Sequence, residues 1–343
     1  MVRNVRLGLV GFGNVGQGLA QILRDNAGDY ALTYGLNFVI VAVADAIKGC
    51  VYDPQGLDAG SLLDKVAADG NFKGLPAEKS GWDALSMIRE SNADVIVEMS
   101  YTDLKTGEPA TTHFKEAIKH KKHVVTTNKG PVALYYGELE DLARQNEVQL
   151  GVEGTVMSGT PTLRLGRELL SAAKIRKVQG ILNGTTNFIL CQMESGAAYP
   201  EALAEAQSLG YAEADPTGDV EGFDAAGKVV ILARLLMNEQ IKMEDVDRSG
   251  ITHLTPADIT TAKEAGERWK LIGALERRKD GSLAASVKAM RLPVSHPLAG
   301  VSGATNAAHF TTDLLGEVTL IGAGAGRLPT GYAVVEDLLA IYR

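Results

Sequence analysis

Along the first 150 residues, short continuous apolar runs alternate with longer stretches whose apolar residues recur every three to four positions. The runs lie at 5–10, 38–44, 94–98, 124–125 and 148–152 and predict strands buried on both faces. The periodic stretches predict helices after Gly16 (Val15, Leu19, Ile22 and Leu23 share a face) and at 82–89, 113–121 and 139–145. This rhythm predicts an α/β fold with a doubly wound, mostly parallel sheet. From Glu153 the pattern changes. A turn-rich segment at 153–161 precedes a predicted helix at 163–170, an alternating strand at 175–182 and a helix at 188–194. An apolar helix is predicted after Gly222 and a last one at 334–342, while 243–248 has no readable period. We expect a first domain at 1–152, completed by 322–343, and an α+β domain at 153–321.

The chain has 343 residues, enough for two domains, and is 45% hydrophobic and 22% charged, as in ordinary globular proteins. Its net charge of −8 argues against a nucleic-acid or anionic-membrane surface. The only cysteines, Cys50 and Cys191, form no disulfide framework, so a reducing, cytoplasmic setting is expected. No apolar stretch approaches 18 residues, and the N-terminal one is too short for a signal-peptide core. The six histidines show no ligand spacing.

The first apolar run leads into Gly11-Phe12-Gly13-Asn14-Val15-Gly16 and then a helix, the setting in which a GxGxxG motif binds a dinucleotide. Gly11 permits the tight turn, Gly13 lets a pyrophosphate approach the backbone, and Gly16 lets helix and strand pack closely. The helix N-terminus then faces the phosphates. Asp45 ends the second strand and can accept from the adenine ribose hydroxyls, although it lies further along than the usual spacing of about 20 residues. An acid there repels a 2′-phosphate and favours NAD; Lys48 and Lys65 leave NADP open. Ligands of such sheets sit beyond the carboxyl ends of the strands, where Ser100, Thr102 and Lys129 fall.

The densest chemistry lies in the second half, at 209–228. Glu213, Asp215, Asp219, Glu221 and Asp224 precede a single Lys228, and Asp224 and Lys228 stand at i and i+4 on one helix face. Such pairs are common on solvated helices, and the order of acids does not meet the EF-hand pattern. A lysine in a partly apolar setting beside a carboxylate can also donate a proton at a carbonyl. Upstream, Asn183-Gly184-Thr185-Thr186-Asn187 opens a helix whose first amides could seat a carboxylate. Cys191 lies on that helix among apolar residues and reads as packed core, so an acyl-enzyme chemistry lacks its thiol. A non-catalytic nucleotide sensor would have no use for Lys129, Asp224 and Lys228 together.

The motifs GFGNVG, TTNKGP, NGTTN, LGYAEADPTGDVEGFDAAGK and GAGAGRLPT, in that order, resemble those of homoserine dehydrogenases over nearly the whole chain. The resemblance implies NAD(P)-linked interconversion of L-homoserine and L-aspartate 4-semialdehyde, a step of threonine and methionine biosynthesis. It implies Lys228 as proton carrier, Asp224 as its orienting partner and Lys129 as a contact to substrate and nicotinamide. Glu213 and Asp219 would receive the substrate's amino group, and Gly184 and Thr185 its other end. Gly322 and the helix after Thr330 would help close the cofactor site. An alkali cation, Na+ or K+, held largely by main-chain oxygens, would map to Glu153, Val156, Ser158 and Thr160. A homodimer is implied. Many relatives carry a C-terminal ACT domain, and some an N-terminal aspartate kinase. This sequence ends at Arg343, so no ACT-based threonine feedback is expected.

Overall fold

A computed structural model of the chain describes residues 2–343. Two compact units emerge: one reaches to Gly159 and includes Gly326–Arg343, and the other is Thr160–Ala325.

The first unit holds strands β1 (Arg3–Val10), β2 (Leu36–Asp45), β3 (Gly49–Tyr52), β4 (Lys79–Ser80), β5 (Val95–Glu98), β6 (His123–Thr126) and β7 (Leu150–Gly151). They form one sheet in the order β4-β3-β2-β1-β5-β6-β7. β2, β1, β5, β6 and β7 run parallel, whereas β3 and β4 join antiparallel. The order reverses between β1 and β5, which leaves a crevice at their carboxyl ends. One face packs Val5, Leu7 and Leu9 against Leu19 and Leu23 and against Val334 and Leu338 of the helix Arg327–Tyr342. The other buries Met87, Ile96, Phe114 and Ile118. The helices Asn14–Tyr34 and Arg327–Tyr342 meet at glycines. A Cβ on Gly18 would stand 2.1 Å from the Arg327 oxygen, and one on Gly331 would stand 2.7 Å from the Leu19 nitrogen.

Several boundaries differ from the sequence pattern. The helix expected at 139–145 runs over Lys129–Gln145. Asn128 caps it by accepting from the Gly130 amide at 3.0 Å, and Pro131 falls in the first turn, where no N–H is needed. The strand expected at 148–152 shrinks to Leu150–Gly151. The last helix starts at Arg327, before Thr330 rather than after it.

The second unit holds β8 (Ile175–Ile181), β9 (Asp247–Arg248), β10 (Glu267–Arg277), β11 (Leu283–Pro293), β12 (Thr305–Thr312) and β13 (Glu317–Ala323), in the order β13-β12-β8-β10-β11-β9. All neighbours are antiparallel except β11 with β9. The helix Phe223–Met237 packs on β10 and β11 and is buried continuously from Ala225 to Ala233, Lys228 included. The segment expected as a helix at 163–170 is one α turn, Thr162–Arg164, followed by a π-helix, Leu165–Leu169.

Candidate active site

In the first unit, the glycines of the 11–16 turn differ in what surrounds them. Gly11 has a φ of 91°, and a Cβ there would stand 2.6 Å from the Met99 oxygen. A Cβ on Gly16 would stand 2.7 Å from the Gly11 oxygen, whereas one on Gly13 meets nothing within 4 Å. The turn is therefore closed on the protein side and open at Gly13, where a pyrophosphate needs the backbone bare. Asn14 and Val15 start the following helix, whose first turn carries no acid to oppose a phosphate. The Phe12 side chain is fully buried and stacks edge-to-face on Phe72.

Asp45 accepts from the amides of Phe12 (2.7 Å), Lys48 (2.9 Å) and Ile47 (3.0 Å). Burial pushes its carboxyl up, but these amides and the Lys48 ammonium outweigh burial and hold it below the ordinary range. The two lysines that left NADP open are both paired: Lys48 stands 3.6 Å from Asp45, and Lys65 stands 2.5 Å from Asp69. Beyond β5, the Ser100 hydroxyl turns back onto the fully buried Glu98, which also lies 3.5 Å from His113. The Asn128 amide donates to the main-chain oxygens of Ser100 and Tyr101, and so ties down the loop that leads to the half-buried Thr102. Lys129, also half-buried, is the first residue of its helix.

In the second unit, the Lys228 ammonium is buried and donates to the Leu182 oxygen at 2.5 Å and to Asp224 at 2.7 Å. Next to Leu182, Asn183 caps the helix Gly184–Glu194 by accepting from the Thr186 amide at 2.9 Å. Its side-chain nitrogen donates to Asp219 at 2.7 Å and to Asp224 at 3.0 Å. Burial, and then the Asp224 charge, raise the Asp219 carboxyl; the Asn183 bond and Lys228 oppose them. The Gly184 and Thr185 amides, first in their helix, have no intrahelical acceptor. The Thr185 hydroxyl is spent on the Tyr211 oxygen at 2.6 Å.

The acidic run does not converge as one cluster. Asp219 and Asp224 meet around Asn183, and exposed Glu213 acts on Asp219 through its charge. Asp215 instead caps Thr217, and Glu221 accepts from Thr252. Gly322 lies in β13, where a Cβ would stand 2.3 Å from the Thr160 hydroxyl oxygen, so packing alone requires glycine there.

Glu153, Val156 and Ser158 are buried, and the backbone is left-handed at Met157 (φ 60°) and Ser158 (φ 55°). The Ser158 hydroxyl bonds Thr330 at 2.7 Å. The Thr160 oxygen already accepts from the amide and hydroxyl of Thr162. No group of three or more His, Cys, Asp or Glu able to hold a metal occurs among the described residues, so a cation there would rest on main-chain oxygens.

The residue that the sequence pattern passed over is Asn183. Its place before a Gly-Thr-Thr turn signals an N-cap, but its bridge to two distant carboxylates leaves no local trace.

Comparison with known proteins gives a family model described as "Homoserine dehydrogenase" matching residues 161–339. A second, "Homoserine dehydrogenase, NAD binding domain", matches residues 11–153. An NAD(+)-dependent homoserine dehydrogenase of Pseudomonas canavaninivorans is 46% identical over 340 residues, covering 98% of this chain and 96% of that one. A homoserine dehydrogenase of Methanocaldococcus jannaschii is 42% identical over 335 residues, covering 97% of each chain. Among solved structures, a hyperthermophilic archaeal homoserine dehydrogenase in complex with NADPH superposes with a TM-score of 0.85 at 29% identity, covering 99% of this chain and 98% of that one.

Proposed function

The chain belongs to the homoserine dehydrogenase family, and from that premise we propose that Lys228 carries the proton of the family's reaction. The enzyme is an NAD(P)-dependent oxidoreductase that interconverts L-homoserine and L-aspartate 4-semialdehyde in aspartate-family amino-acid biosynthesis. The nicotinamide supplies the hydride in aldehyde reduction and takes it in alcohol oxidation.

The observation that carries the Lys228 assignment is its donor count. An ammonium has three hydrogens in fixed directions, and two are held by Leu182 and Asp224. The third has no acceptor among the described residues, so it is free for a substrate oxygen. In reduction Lys228 gives this proton to the forming alkoxide; in oxidation the neutral amine removes it. Asp224 holds the ammonium in place, and Asn183 holds Asp224. Asp219 and Glu213 receive the substrate ammonium, which relieves the repulsion between Asp219 and Asp224. The Gly184 and Thr185 amides receive its carboxylate. Fixing both ends positions the reacting carbon. Gly11–Gly16 and Asp45 serve the pyrophosphate and adenine ribose, and Ser100, Thr102 and Lys129 the nicotinamide half.

An ionised Asp45, with Lys48 and Lys65 each already paired, supports NAD over NADP. Exposed Leu314, Leu315 and Ile321 support a homodimer, and two free cysteines a reducing, cytoplasmic setting. Main-chain oxygens at Glu153, Val156 and Ser158 are the seat for an alkali cation, with Thr160 at its margin.

The test is the pH profile of L-homoserine oxidation, followed as reduced nicotinamide under conditions where chemistry limits the rate. Because the amine must be neutral to take the proton, the rate should rise in alkaline solution. A flat profile would contradict the assignment.

A further inference from the structure

A groove of about 750 Å³ opens on the second unit away from Lys228. Its floor includes Leu170, Leu235, Leu236 and Met237, and its walls come from the π-helix Leu165–Leu169, the start of β8 and the turn after β10. Lys228 and Leu236 are eight residues apart on one helix, about 12 Å along its axis, so the groove is separate from the lysine cluster.

Its charge is unlike that of the rest of the chain. Arg167, Lys174, Arg176, Arg277, Arg278 and Lys279 line it, and no carboxylate does, in a chain of net charge −8. Arg277 is engaged: it pairs with Glu239 at 2.6 Å and donates to the Met237 oxygen at 3.1 Å. The other five make no ion pair among the described residues. Like charges gathered around one concavity repel one another and focus a field that attracts anions. Two further features point to a ligand. The volume suits a small molecule, and the wall at Leu165–Leu169 is a π-helix, a rare conformation that is frequent at functional sites. Apolar side chains under a cationic rim fit an organic body bearing more than one phosphate.

We propose that this groove is a binding site for a phosphorylated small molecule, distinct from the dinucleotide and substrate sites. Arg176 and Arg278 contribute charge from β8 and from the turn after β10, and the apolar floor takes the organic body.

The experiment is calorimetric titration of tripolyphosphate into the full chain already saturated with dinucleotide, so that the Gly11–Gly16 seat is filled. One binding event is expected, weaker in high salt. R176E/R278E should weaken it by about tenfold or more, and Lys174→Gln by about threefold. Both variants change exposed side chains and should keep wild-type homoserine oxidation. Absence of binding once dinucleotide is present would overturn the proposal. So would affinity in R176E/R278E within about twofold of wild type.

Discussion

The Lys228 ammonium donates to the main-chain oxygen of Leu182 across 2.5 Å, pinning its helix to the chain just beyond β8. Leu182 precedes Asn183, which holds both Asp219 and Asp224. The direction of the lysine's remaining hydrogen is thus set by the Leu182 oxygen and by Asp224, which Asn183 holds, and neither depends on a bound substrate.

Asn183→Ala removes the helix cap and the donors to both carboxylates together. Stability should fall by about 0.5–2 kcal/mol in urea unfolding. With Asp224 no longer fixed, kcat for homoserine oxidation should fall by about 10- to 100-fold. Asn183→Asp keeps an acceptor for Thr186 but adds a third carboxylate, so it should lose activity while recovering part of the stability. Full activity in either variant would show that the bridge is not needed.

Gly13 and Gly16 should respond to alanine in opposite ways. Gly13→Ala adds a methyl to open space and should leave stability within about 0.5 kcal/mol, while raising the KM for dinucleotide by about tenfold or more. Gly16→Ala drives a methyl to within 2.7 Å of the Gly11 oxygen and should destabilise the chain. Equal stability losses in the two would contradict the open cradle at Gly13.

Much of the first unit was legible because its signals are local. Continuous apolar runs mark β1, β2 and β5, and a strand–GxGxxG–helix order marks the cradle. The start of the helix at Lys129 was hidden because Asn128, Gly130 and Pro131 read as a turn, although together they cap and open a helix. Most of the second sheet was illegible for a different reason. β11 is half-buried along most of its length, so its residues follow no strict alternation. The pairing of Asp219 with Asp224 through Asn183 joins positions far apart in sequence, which no periodicity reports.

Asp45 is placed to decide between NAD and NADP. Asp45→Asn keeps an oxygen for the Phe12 or Ile47 amide and removes the charge that repels a 2′-phosphate. The ratio of kcat/KM for NAD to that for NADP should fall by about tenfold. An unchanged ratio would place the discrimination elsewhere.

Lys122 should give stability a signature in alkali. It is buried, with its amine donating to the Ser91 oxygen at 2.6 Å, and its pKa falls to about 8. Burial is the main cause, with Asp94 opposing it and Arg6 adding to it. The unfolded chain, with an ordinary lysine pKa, binds more protons between that value and about 10.4, so stability should rise with pH over this window. Partial solvent screening limits the gain to about 1–2 kcal/mol. Lys122→Met should lack this increment when unfolding is measured at both ends of the window. Parallel pH dependences in the two proteins would contradict it.

The central claim is that Lys228 carries the proton, and replacing it is the most direct test. With dinucleotide affinity unchanged, Lys228→Ala should lower kcat for L-homoserine oxidation by about 10²–10⁴-fold, the usual worth of a general acid or base. A folded Lys228→Ala protein that turns over homoserine within a few fold of wild type would contradict the account.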